Sequence, residues 1–125
     1  MEPVSSHHMP DDVLIVEDDP IIALDFEQTI LGFGAKTVRT AANVAGALEM
    51  IAGRAPNFAL LDVGLFREKS FAVAERLDAL RIPFVFVTGY EVTLPTPFSN
   101  RPRLPKPFST DALKALMTCL TVCSG

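Results

Sequence analysis

Three carboxylates in succession, Glu17, Asp18 and Asp19, stand directly behind the apolar run Val13-Leu14-Ile15-Val16 and ahead of Pro20. Like charges about 4 Å apart repel by roughly 1 kcal/mol in bulk water and roughly 4 kcal/mol at the effective dielectric of a protein surface. A chain that gathers such charges must offset the repulsion, and a bound cation does so directly. Asp19 also has a plain structural use, as the N-cap of a helix whose first position is proline. Other polar residues share the placement of Glu17 and Asp18: Asp62 closes NFALL, Thr88 closes FVFV, and Lys106 follows Arg103-Leu104. Singly, each has an ordinary explanation. An Asp after a strand bonds nearby turn N–H groups, a Thr is a good strand former, and a Lys before proline is a solvated charge. Their recurrence at one strand end after another is what calls for a shared chemical role.

The elements that must position them alternate. VLIVE, residues 13–17, is a continuous apolar run suited to a strand buried on both faces. From Pro20 to Leu31, Ile22, Phe26 and Ile30 recur at helical spacing, and Gly32 and Gly34 act as stops. KTVRT, residues 36–40, is β-branched with charges that suit an edge strand. Val44, Ala47, Leu48, Ile51 and Ala52 form a second helical stripe, which Gly53 and Pro56 end. A strand follows at 57–61, a helix from Phe71 to Leu80, and a buried strand, FVFVT, behind Pro83. Pro95, Pro97 and Pro102 make the stretch from Glu91 to Pro102 a loop. Arg103-Leu104 then forms a short last strand, and Ser109 caps a final helix with Leu113, Leu116, Met117 and Leu120 on its core face. Alternation of this kind predicts an α/β fold, a doubly wound parallel sheet with right-handed crossovers. Ligands of such sheets sit beyond the carboxyl ends of the strands, so Glu17, Asp18, Asp62, Thr88 and Lys106 should converge on one edge.

The 125 residues, of which 49% are hydrophobic, make one domain with a real core. A net charge of −4 with no basic stripe argues against nucleic-acid and anionic-membrane partners. No apolar run reaches the roughly 20 residues that span a bilayer, and the start lacks the order of a signal peptide, so a cytoplasmic location is expected. Residues 1–11, with Pro3, Pro10 and the pair His7-His8, read as a flexible tail ahead of a domain at 12–125. Cys119 and Cys123 lie four apart on one helix face and are expected to serve as small core hydrophobes rather than as a disulfide or metal site.

VLIVEDD, LLDV, VTGY and LPKPF, in that order, resemble the motifs of the response-regulator receiver domain of two-component signalling, over about residues 12–123. The resemblance implies a flavodoxin-like five-stranded parallel sheet of order 2-1-3-4-5. It implies that Asp62 accepts a phosphoryl group from a histidine kinase or histidine phosphotransfer protein. It also implies that Mg2+ is held by Asp18, Asp62, the Gly64 backbone carbonyl and, usually through water, Glu17. Thr88 and Lys106 complete the catalytic set. The chemistry is consistent with those roles: a carboxylate approaching a dianionic phosphoryl group needs cations around the transferring oxygens. Mg2+ prefers oxygen ligands, and Lys106 is a point charge. A phosphoryl group on Asp62 would then draw in the Thr88 hydroxyl and the Lys106 ammonium, which makes the site a switch.

Two departures from the commonest receiver pattern stand out. PFVFVTGY, residues 83–90, is similar to the PFxFATGY signature of a receiver subclass whose fourth helix, between the fourth and fifth strands, is short or missing. Arg103 stands where most receivers have an aromatic switch residue, so Tyr90 becomes the candidate reporter of phosphorylation. Gly64 replaces a larger polar residue common in the family and is expected to alter the dephosphorylation rate. The resemblance favours a stand-alone, Mg2+-dependent phosphoacceptor that acts on a downstream protein, unknown from sequence, or serves as a phosphate sink or relay. Such a protein is not an enzyme beyond catalysing its own phosphorylation and dephosphorylation. A degenerate receiver that binds partners without phosphorylation is the alternative, and all five chemical positions being present argues against it. An aspartyl-nucleophile phosphatase would need a DxD spacing that VEDDP lacks.

Overall fold

The computed structural model describes residues 9–65, 69–88, 94, 98, 101–105 and 109–123, apart from the side chains of Pro105 and of residues 120–123. Its elements run β1 (Asp12–Val16), α1 (Pro20–Phe33), β2 (Thr37–Ala41), α2 (Val44–Gly53), β3 (Phe58–Asp62), α3 (Phe71–Ala79), β4 (Phe84–Thr88), β5 (Arg103–Pro105) and α4 (Thr110–Cys123). The five strands form one parallel sheet of order β2-β1-β3-β4-β5. This is the flavodoxin-like order. Among the described residues no helix lies between β4 and β5.

The period of two along each strand divides the core. Leu14, Val16, Ala59, Leu61, Phe84 and Phe86 share one buried cluster with Ala47 and Ile51 of α2 and Val73, Ala74 and Leu77 of α3. Val13, Ile15, Phe58, Leu60, Val85, Val87 and Leu104 share the other with Phe26 and Ile30 of α1 and Leu113 and Met117 of α4. Because both faces are covered, β1, β3 and β4 read as unbroken apolar runs. Each fully buried Val, Leu, Ile or Phe contributes about 1.5–3 kcal/mol relative to exposure. On the first face, Leu94 and Phe98, from the connection between β4 and β5, are buried in the same cluster as α2 and α3. Two apolar side chains from a proline-rich stretch thus help to cover a part of the sheet where a crossover helix would otherwise pack.

Local chemistry sets the ends of the elements. Asp19, in extended conformation, accepts the Ile21 and Ile22 N–H groups at 2.9 and 3.4 Å and so caps α1, as expected. Helix α1 runs to Phe33, two residues beyond the expected end. Gly32 is tolerated inside the helix, and Gly34, with φ 115°, is the stop, its N–H turned back to Ile30 and Leu31 carbonyls. Ser109 accepts the Ala112 N–H at 3.1 Å. The edge strand β2 is held to β1 by a clamp: Arg39 donates to Asp12 from Nε at 3.2 Å and Nη2 at 2.9 Å, and also to the Arg54 and Met50 carbonyls. Arg54 adds a third contact to Asp12 at 3.1 Å.

One expectation needs correction. Cys119 is exposed rather than part of the core. Helix α4 buries Leu113 and Met117, one turn apart, and a residue two positions beyond Met117 is rotated to the opposite side; the side chain of Cys123 lies outside the described residues. Residues 1–8, including His7 and His8, also lie outside them. Met9 packs against the α1–α4 core, Pro10 is buried, and the Asp11 carbonyl accepts the Lys36 and Thr37 N–H groups. No helix among the described residues is long and apolar enough to cross a membrane.

Candidate functional site

The parallel register aligns the carboxyl ends of β1, β3 and β4 on one edge, where Glu17, Asp18, Asp62 and Thr88 stand. Glu17 immediately follows β1. Its N–H donates to the Ala41 carbonyl at 2.9 Å, which ties it to the end of β2, and its Oε2 accepts the Asp19 N–H at 3.1 Å. Its neighbour Asp18 is half-buried. Asp62, the last residue of β3, is 7% exposed, and its Oδ1 accepts the Gly64 N–H at 3.1 Å, which fixes the orientation of the carboxylate. One oxygen from each of Glu17, Asp18 and Asp62 lies within 4.8 Å of the others. Asp19 stands apart, its carboxylate committed to the helix cap.

Thr88 ends β4 and is buried. Asp62 pairs with Val87 in the register, and the Val63 N–H donates to the Val87 carbonyl at 3.1 Å, so Thr88 is held one residue past the partner of Asp62. Gly64 is exposed, and a Cβ added there would meet nothing within 4 Å. Lys106 and Tyr90 lie outside the described residues. The structure therefore brings together the three carboxylates expected from sequence and sets Thr88 on the neighbouring strand.

The donor set fits a hard divalent cation: three carboxylate oxygens, two of them from buried residues, with no sulfur or imidazole. Ligand bonds of about 2.1 Å place two oxygens on one Mg2+ about 3 Å apart when adjacent and about 4 Å apart when opposite. The three oxygens, all within 4.8 Å of one another, lie close to that scale.

Sequence reading missed two features near this edge. Ser70, at the start of α3, is fully buried; its signal was a serine directly ahead of an apolar helical stripe. Phe71, Phe86 and Phe98 form a mutual ring cluster, which no local spacing announces because the three rings come from separate elements.

No protein-family model matches the chain. The solution structure of SdrG from Sphingomonas melonis Fr1 superposes with a TM-score of 0.78 at 40% identity, over 89% of this chain and 96% of that one. The receiver domain of the response regulator PhyR from Erythrobacter litoralis superposes with a TM-score of 0.77 at 26% identity, over 88% of each chain. The phyllosphere-induced regulator PhyR of Methylorubrum extorquens is 28% identical over 115 residues, covering 88% of this chain and 43% of the regulator. The chain thus spans less than half the length of that curated relative.

Proposed function

Because the chain belongs to the receiver-domain family of response regulators, we propose that Asp62 accepts a phosphoryl group and that the domain transmits the resulting change to a partner protein. The observation that carries this reading is the meeting of Asp62 with Glu17 and Asp18 within 4.8 Å at the carboxyl edge of the sheet. A carboxylate oxygen of Asp62 attacks phosphorus as an O–P bond forms. The bond from phosphorus to the donor breaks, and its electron pair leaves with the donor: the imidazole nitrogen of a histidine kinase or histidine phosphotransfer protein, or the acetate oxygen of acetyl phosphate. The product is an acyl phosphate on Asp62.

The chain's own groups divide the work. The Gly64 N–H holds one oxygen of Asp62 and so fixes the direction of attack. Thr88 offers a hydroxyl on the adjacent strand for the new phosphoryl oxygens, and Lys106 offers a counter-charge. Mg2+ is the cation to which Asp18, Asp62, the Gly64 carbonyl and Glu17 are assigned, and it would neutralise charge on the entering phosphoryl group. Pairing of the phosphoryl group with Thr88 and Lys106 then biases the domain toward a second conformation, which Tyr90 would report. Charge-assisted hydrogen bonds of this type supply the differential free energy that a two-state element requires. The domain catalyses its own phosphorylation and dephosphorylation and turns over no other substrate, and its setting is the cytoplasm.

Intact-mass measurement after incubation with acetyl phosphate and Mg2+ tests the reading. Wild type gains one phosphoryl group, EDTA abolishes the gain, and Asp62→Asn gains none. Equal labelling of the Asn variant refutes the acceptor assignment.

A further inference from the structure

Helix α3 begins on a buried polar group. Ser70 is 0% exposed, and its Oγ has no hydrogen-bond partner among the described residues. Its carbonyl accepts the Val73 and Ala74 N–H groups, both at 3.1 Å. Its φ of −84° and ψ of 12° lie outside the extended conformation from which Asp19 and Asn43 cap α1 and α2, and its side chain caps nothing. A buried hydroxyl left unbonded destabilises the arrangement that contains it, and each such group requires an explanation.

The next residue joins that turn to β4 and to the connection beyond it. Phe71 stacks on Phe98 with ring centroids 5.7 Å apart and 15° between planes, and meets Phe86 edge-on at 5.8 Å. Phe86, two residues before Thr88, also meets Phe98 at 5.6 Å and Phe84 at 5.3 Å. Arg101 lies 5.4 Å over the Phe84 ring and bonds Asp78 of α3 at 2.7 Å. Asp62, the candidate acceptor, closes β3, and Ser70, eight residues on in sequence, opens α3 beside this ring cluster. Close-packed rings change between discrete arrangements more readily than they deform.

We propose that the Ser70–Phe71 turn is a two-position element that couples Asp62 to the ring cluster. The arrangement seen here is the resting one, its Ser70 hydroxyl unbonded and Phe71 stacked on Phe98. Phosphorylation of Asp62 favours a second arrangement in which the hydroxyl gains a partner and Phe71 moves on Phe98. Ser70 does not touch the phosphoryl group; it is a positioning residue that makes the resting state costlier and the switch easier to throw. The inference rests on the phosphoacceptor reading of Asp62.

Ser70→Ala tests it, because it removes the hydroxyl without removing any bond of the resting state. Two measurements are needed: the urea midpoint of the bare protein, and the affinity for beryllofluoride with Mg2+, a phosphoryl mimic, followed by NMR. The expected result is a higher midpoint together with several-fold weaker beryllofluoride binding, since coupling between Asp62 and the Ser70–Phe71 turn is reciprocal. Phe98→Leu, which loosens the resting stack, is expected to tighten binding. A higher midpoint with unchanged binding shows that Ser70 is merely structural and overturns the proposal, as does a lower midpoint, which shows that the hydroxyl was bonded. Failure of the wild type itself to bind beryllofluoride and to label from acetyl phosphate sinks the acceptor reading, and this inference with it.

Discussion

Neutralising Asp62 should stabilise the protein when divalent metal is absent and forfeit stabilisation when it is present. One oxygen from each of Glu17, Asp18 and Asp62 lies within 4.8 Å of the others. At that separation a pair of like charges repels by about 0.9 kcal/mol in water and about 3.5 kcal/mol at an effective dielectric of 20. Asp62→Asn removes two of the three pairwise repulsions and keeps an oxygen for the Gly64 N–H. Water reaches Asp18 but scarcely reaches Glu17 and Asp62, so the solvated limit is a floor, and a gain of at least about 2 kcal/mol is expected in EDTA. With Mg2+ at ten times its dissociation constant, the wild type gains about 1.4 kcal/mol by mass action, while the variant, lacking one ligand charge, gains less. Urea unfolding of both proteins, in EDTA and over a Mg2+ series, measures all four quantities. Loss of stability in Asp62→Asn under EDTA, together with a Mg2+-insensitive wild type, would refute the clustering of charge as the basis of the site.

Three further outcomes are open to direct measurement. Arg39→Met removes the two-pronged contact to Asp12 from side chains only 19% and 15% exposed, so a loss of about 2 kcal/mol in urea unfolding is expected. Arg54→Met, whose side chain is 62% exposed, should cost under about 0.5 kcal/mol, and equal losses would show that burial does not set the difference. Arg81 has φ 60°, a conformation that penalises a Cβ, so Arg81→Gly should raise the thermal midpoint by a net gain of about 0.5 kcal/mol after the added freedom of the unfolded chain; a lower midpoint would contradict it. At Gly64 there is open space for a side chain, so Gly64→Asn should leave the unfolding midpoint unchanged yet alter the decay rate of phosphorylated Asp62, and identical decay would show that this position does not reach the acceptor.

What the sequence disclosed followed from local periodicity and from residues adjacent along the chain. The runs ending in Glu17 and Thr88 announced buried strands, and Asp19-Pro20 announced a helix start, because apolar runs and capping are local signals. The three-carboxylate cluster was legible for the same reason: a parallel sheet converts the ends of strands into neighbours. Features built by contacts across the fold were not legible. Arg39 reaches Asp12 across 27 positions, so its clamp had no local signature beyond charges suited to an edge. Leu94 and Phe98 sit in a stretch whose prolines spoke only against a helix interior, yet both are buried. Cys119 shared the apolar character of α4 but not its inward face. Ser70 drew no notice ahead of the α3 stripe, because its burial and its non-extended backbone conformation are set by the fold rather than by its neighbours in sequence.

The Asp12 clamp and the acidic cluster occupy opposite rims of the same strands, five residues apart along β1 and its continuation. At about 3.3 Å per residue that is about 16 Å, where a unit charge in water contributes roughly 0.3 kcal/mol before screening, and a Debye length of about 8 Å reduces it further. Substitutions that alter charge around Arg39 and Arg54 thus barely reach the opposite rim. Durability and responsiveness can drift separately in descendants of this chain, one rim accumulating changes in thermal tolerance while the other keeps its sensitivity.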